Sequence, residues 1–167
     1  HHRRHGPGAV TAIRIVLADD HPVVRDGLRG MLASEDDFEV VGEAASGTEA
    51  VALTGRERPD VVLMDLQMPE MDGATATAEI TARFPATRVL VLTTYDADAD
   101  ILRAVEAGAT GYLLKDTPRE RLFPAIRAAA RGETVLAPTV ATRLVSRMRR
   151  PAEEALTARE VEVLELV

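Results

Sequence analysis

IRIVLADD (residues 13–20) and VVLMD (61–65) are the two stretches whose reading decides the fold. Each is a short apolar run rich in β-branched residues, as a buried strand requires, and each ends in acid before a Pro-containing turn. In a parallel α/β sheet the C-terminal ends of neighbouring strands lie side by side, so Asp19, Asp20 and Asp65 are expected to converge in one pocket. Three close carboxylates repel one another, and a hard cation relieves that repulsion. The pocket therefore reads as a divalent-metal site.

Working outward, strand-like and helix-like segments alternate. Strands are predicted at Ile13 to Asp19, Phe38 to Ala44, Val61 to Asp65, Arg88 to Thr93 and Gly111 to Leu114. Between them run helical stripes: Val24, Leu28 and Leu32; Ala50, Val51 and Leu53; Ala78 and Ile80; Ile101, Leu102 and Val105. A fifth helix is expected from Pro118 to Arg131, with Leu122, Ile126 and Ala129 on one face and Pro118 in the first turn. Five βα units with right-handed crossovers give a doubly wound, flavodoxin-like α/β sheet of order 2-1-3-4-5. Its ligand crevice lies beside strands one and three, which carry the acids.

Composition bounds the rest. The 167 residues suit one full domain and a tail, and 46% hydrophobic content can fill its core. A net charge of −7 gives no general attraction to nucleic acid or to an anionic membrane. There is no cysteine, which excludes disulfides and thiolate metal sites, and no apolar run approaches membrane-spanning length. A cytoplasmic protein is the simplest expectation. Residues 1–12 read as a tag or leader outside the fold, where His1, His2 and His5 can at most bind metal adventitiously.

Four segments in order, DDHPVVRDGL (19–28), MDLQMPEMDG (64–73), VLTTYD (91–96) and GYLLKD (111–116), resemble the receiver domain of bacterial two-component response regulators, and most closely the NarL/FixJ type. The resemblance spans residues 13–131. It implies phosphoryl transfer from a sensor histidine kinase to Asp65. It also implies Mg²⁺ held by Asp20, Asp65 and the backbone carbonyl of Gln67, with Asp19 acting through water. Lys115 is then expected on a phosphoryl oxygen and on Asp65, and the Thr93 hydroxyl on another oxygen. Thr93 and Tyr112 would form the switch, Tyr112 turning from exposed to buried as Thr93 is drawn inward. Gln67 and Tyr95 would flank the path of the hydrolytic water. Many receivers have a cis-proline after the lysine, whereas Asp116 stands here, and a trans Lys115–Asp116 bond is expected.

The residue types fit that chemistry in their own right. A carboxylate is a weak nucleophile, and phosphoryl transfer demands mainly positioning and charge neutralisation. Read singly, Asp19 and Asp20 could merely cap the following helix, and Lys115 could be a solvated strand-end lysine. A hydrolase or phosphatase forming an aspartyl-phosphate on a similar fold is the alternative. The nucleophile and acid/base of haloacid-dehalogenase-type phosphatases share a DxD motif after strand one, which is not the arrangement here.

Beyond residue 131 the pattern changes. Residues 132–155 read as a linker with a short helix carrying Val140, Leu144 and Val145 or Met148 inward. Residues 156–167, LTAREVEVLELV, begin with a capping box, Thr157 and Glu160, and resemble the first helix of a LuxR-type helix-turn-helix domain. A homodimer is expected. DNA binding is expected through a full-length effector domain but not through this truncated chain, which ends before a recognition helix.

Overall fold

A computed structural model describes residues 11–94, 98–136 and 145. The linker and helix-turn-helix expectations lie almost wholly outside those residues, as does Tyr95.

The described chain alternates β1 (Ile13–Ala18), α1 (Pro22–Leu32), β2 (Phe38–Ala44), α2 (Gly47–Glu57), β3 (Val61–Asp65), α3 (Gly73–Arg83), β4 (Arg88–Thr93), α4 (Asp98–Ala107), β5 (Gly111–Leu114), α5 (Arg119–Ala130) and β6 (Val135–Leu136). The sheet is parallel in every pairing, with order β2-β1-β3-β4-β5-β6. Five strands are as the sequence predicts. The sixth is an addition: Val135 and Leu136 pair with Gly111 and Tyr112, too short a run to show a period.

Both faces of the sheet are buried, so the strands read as continuous apolar runs. Their two-residue alternation sorts the core into layers. Val16, Val62, Met64, Val89 and Val91 face one layer, with Ala50, Leu53, Ile80 and Ile101 from α2, α3 and α4. Ile15, Leu17, Val61, Leu63 and Leu90 face the other, with Leu28 and Leu32 of α1 and Leu122 and Ile126 of α5. Phe38 and Phe123 close this second layer edge to face, ring centroids 5.3 Å apart.

Two helical stripes need correction. In α3 the inward residues are Ala74, Ala76, Thr77 and Ile80, and Ala78 is exposed. In α4, Ile101 and Ala104 are buried while Val105 is 38% exposed. Pro118 is the residue before the first turn of α5 rather than within it.

Candidate functional site

Strand ends deliver the side chains. Asp19 follows β1 and its N–H donates to the Ala44 carbonyl at 3.0 Å. Asp65 ends β3 and Thr93 ends β4. Lys115 follows β5, its N–H donating to the Thr93 carbonyl at 2.8 Å and so extending the β4–β5 ladder. The strand ends meet at a cavity of about 300 Å³ lined by Asp20, His21, Asp65, Leu66, Gln67, Thr93, Thr94 and Lys115. Among the described residues, the pairing of strands thus brings to this cavity every expected site residue except Asp19, which meets the cluster through Lys115, and Tyr112.

Lys115 Nζ lies 3.1 Å from Asp19 Oδ2 and 3.1 Å from Asp65 Oδ1. Both acids are nearly inaccessible, at 4% and 5% exposure. Burial, then the neighbouring Asp19 charge, pushes the Asp65 carboxyl above the usual aspartate range, and Lys115 only partly offsets them. Burial also works against the Lys115 charge, but the carboxylates of Asp65 and Asp19 outweigh it and hold the ammonium above its ordinary pKa.

Among the described residues, two buried carboxylate oxygens, Asp20 Oδ1 and Asp65 Oδ2, have no hydrogen-bond donor. Such groups are costly unless something satisfies them. His21 Nδ1 lies 3.0 Å from Asp20 Oδ1, but that approach lacks hydrogen-bond geometry. Carboxylate oxygens of Asp19, Asp20 and Asp65 and a ring nitrogen of His21 lie within 4.8 Å of one another. This donor set, with two orphaned anionic oxygens, fits a divalent cation. The capping alternative fails for both acids: α1 is preceded by His21 and has no side-chain cap. Asp19 Oδ1 instead accepts the His21 N–H at 2.8 Å.

The loop after β3 is fixed by close backbone approaches. A Cβ on Gly73 would stand 2.0 Å from the Asp65 carbonyl oxygen, and one on Gly47 would stand 2.0 Å from that of Met71. With no side chain, Gly73 donates to the Leu66 carbonyl at 2.9 Å and Gly47 to that of Met71 at 2.9 Å. Asp72 caps α3 by accepting from the Thr75 N–H at 2.8 Å, and receives Arg103 of α4 at 2.8 Å. Burial would raise the Asp72 carboxyl, but these bonds to Arg103 and Thr75 hold it below the ordinary range. The Gln67 N–H reaches Asp65 Oδ1 only at 3.4 Å, and its side-chain amide donates to Asp100 at 3.4 Å.

Thr93 is 1% exposed, with its hydroxyl 3.4 Å from the Thr94 carbonyl. Tyr112 is already inside, against the expectation of an exposed ring: it is 5% exposed and donates its hydroxyl to the Ala109 carbonyl at 3.2 Å. Burial pushes its phenol up to about 12. The Lys115–Asp116 bond is trans as expected. Sequence reasoning gave no role to His21 or Arg103. His21 stands beside the paired acids, so its signal was present in the chain, whereas Arg103 meets Asp72 only through the packing of α4 on α3.

Comparison with known proteins agrees with this geometry. The family model described as the response regulator receiver domain matches residues 15–127. The chain is 43% identical over 157 residues to the response regulator protein VraR of Staphylococcus aureus, covering 93% of this chain and 75% of VraR. It is 42% identical over 161 residues to the uncharacterized transcriptional regulatory protein YxjL of Bacillus subtilis, covering 92% and 74%. Among solved structures, the response regulator ChrA of a heme-sensing two-component system superposes with a TM-score of 0.72 at 50% identity, over 83% of this chain and 66% of ChrA. The receiver domain of the NarL response regulator from Mycobacterium tuberculosis gives 0.70 at 38%, over 74% and 99%. These matches favour the regulator over the phosphatase alternative. With the family model spanning β1 to α5, this chain belongs to the response regulator receiver family.

Proposed function

We propose that Asp65 accepts a phosphoryl group from a sensor histidine kinase, with Mg²⁺ in the acidic pocket, and that the phosphorylated domain switches a DNA-binding output controlling transcription. The observation that carries this reading is the placement of Lys115 between Asp65 and Asp19, beside two buried carboxylate oxygens without donors.

Asp20 and Asp65 would hold the metal together with the Gln67 carbonyl, and Asp19 would act through water. Bound there, Mg²⁺ supplies neutralisation of charge on the phosphoryl oxygens. The Asp65 oxygen attacks phosphorus; an O–P bond forms as the N–P bond of the phosphohistidine breaks, and the imidazole nitrogen leaves and takes a proton. Lys115 pairs with a phosphoryl oxygen while retaining Asp19, so its charge stays anchored as Asp65 changes. Thr93 donates its hydroxyl to another oxygen. Thr93 and Tyr112 would carry the change outward, with Tyr112 held in its buried place.

On this reading the chain takes one phosphoryl group and is not an enzyme acting on a separate substrate. The partners are the sensor kinase, a second copy of the chain and, through a full-length effector domain, DNA. A cytoplasmic site of action suits such a regulator, and no described helix is long and apolar enough to cross a membrane. Incubation with Mg²⁺ and a small phosphodonor such as acetyl phosphate tests the reading by intact mass. Wild type is expected to gain one phosphoryl group and Asp65→Asn none; equal labelling of the two would overturn it.

A further inference from the structure

The imidazole of His21 sits against the acidic pocket but has no part in the phosphoryl-transfer reading. Its Nδ1 lies 3.0 Å from Asp20 Oδ1 and 3.1 Å from Asp19 Oδ1. Neighbouring ligands of an octahedral ion with bonds of ~2.1 Å stand ~3.0 Å apart. The nitrogen is therefore spaced from Asp20 Oδ1, the oxygen assigned to the ion above, as a fellow ligand would be, while its contact with Asp19 Oδ1 is a hydrogen bond. A second observation points the same way: Asp65, 95% buried by its 5% exposure, aims the unpartnered Oδ2 into this cavity. The His21 ring makes no helix-capping hydrogen bond, and its Nδ1 is directed at the Asp19 and Asp20 carboxylates, hydrogen-bonding Asp19 Oδ1 at 3.1 Å.

Resting on the reading of the pocket as a divalent-cation site, we propose that His21 supplies a nitrogen ligand to it. The pocket is then a mixed nitrogen and oxygen site that takes a first-row transition dication such as Ni²⁺ in preference to Mg²⁺. Imidazole nitrogen adds little for Mg²⁺, which favours oxygen and retained water, and much for the later first-row ions, which bind nitrogen strongly. Discrimination between the two ions would thus reside in a single side chain. The shared carboxylates bind either.

The chain's histidines are His1, His2, His5 and His21. Replacing the first three by alanine leaves His21 as the sole imidazole, which removes adventitious binding by the leader. In that background, Ni²⁺ and Mg²⁺ are titrated separately by calorimetry with and without His21→Ala. Nickel-edge X-ray absorption then reads imidazole scattering directly. Ni²⁺ affinity is expected to fall about tenfold or more, Mg²⁺ affinity to stay within about twofold because Mg²⁺ favours oxygen, and imidazole scattering to vanish with His21→Ala. Unchanged Ni²⁺ affinity, absent imidazole scattering, or equal losses for both ions would overturn the proposal. Retained Mg²⁺ binding reports an intact pocket in the first two cases, and in the third the parallel loss shows that His21 does not discriminate between the ions. Failure of both ions to bind the background chain would instead overturn the underlying cation-site reading.

Discussion

Lys115 and Asp65 meet at 3.1 Å although they arrive from β5 and β3, with β4 between them. The lysine bridges the gap because the β4–β5 ladder runs one step past the strand, to the Lys115 N–H. Its second partner, Asp19, belongs to the opposite side of β3. One ammonium thus spans the ends of three strands.

Lys115→Met is expected to lower the rate of phosphoryl uptake about 100-fold or more, on the scale of losing one well-placed electrostatic donor. Removing the ammonium also removes the group that restrains the Asp65 carboxyl. Its pKa is then expected to climb further, so uptake by the variant should require a higher pH. Rates of acetyl phosphate labelling across a pH series measure both effects; an unchanged pH profile would count against Lys115 as the restraining charge.

Asp65→Asn is expected to stabilise the fold. Because burial and Asp19 raise the Asp65 pKa on folding, the folded state binds more protons than the unfolded one. Stability then falls as pH rises from the ordinary aspartate range through the folded value. Asparagine escapes that loss, while Lys115 keeps Asp19 as partner. Melting temperatures should nearly coincide below pH ~4 and diverge above it, by about 4–8 °C per kcal/mol for a small domain. An Asn variant that melts lower at neutral pH would refute this.

Gly73→Ala should destabilise by about 1–3 kcal/mol, the usual cost of overpacking, because its Cβ would meet the Asp65 carbonyl at 2.0 Å. Gly27→Ala is the control: nothing lies within 4 Å of its Cβ, and a helical Gly to Ala change gains about 0.5–1 kcal/mol. Chemical denaturation of the pair should give opposite signs.

Arg127 of α5 donates to both oxygens of Asp37, at 2.8 and 3.0 Å, and to Glu35 at 2.6 Å, while stacking over Phe38 at 4.8 Å. The bond to Arg127 outweighs burial and holds the Asp37 carboxyl below its ordinary pKa. That stability is present above the unfolded aspartate pKa and lost as pH falls through the folded value. Arg127→Gln should therefore cost about 1–3 kcal/mol near neutrality, and the gap to wild type should narrow below pH ~4. Urea midpoints taken across that range provide the check.

The strands and the site acids were legible because each signal is local. A β-branched run ending in acid, as in IRIVLADD, states both its conformation and its destination once the sheet is parallel. Weaker stripes failed where small residues do the packing: α3 turns Ala74, Ala76 and Thr77 inward, and no apolar contrast with Ala78 marks that face. Arg103 was invisible for another reason, since its meeting with Asp72 depends on how two helices lie together. Tyr112 was assigned to the switch, but its buried position goes with a hydrogen bond from its hydroxyl to the Ala109 carbonyl, which no sequence pattern encodes.

The two-residue β6 adds a sixth strand at the β5 edge of the sheet. Leu136 is held opposite Tyr112, so β6 lies against the flank of the strand that Lys115 follows. A small rotation of β5 would therefore carry Val135 and Leu136 with it. The sheet edge at β6 is thus tied by its ladder to the strand whose end delivers Lys115 to Asp65.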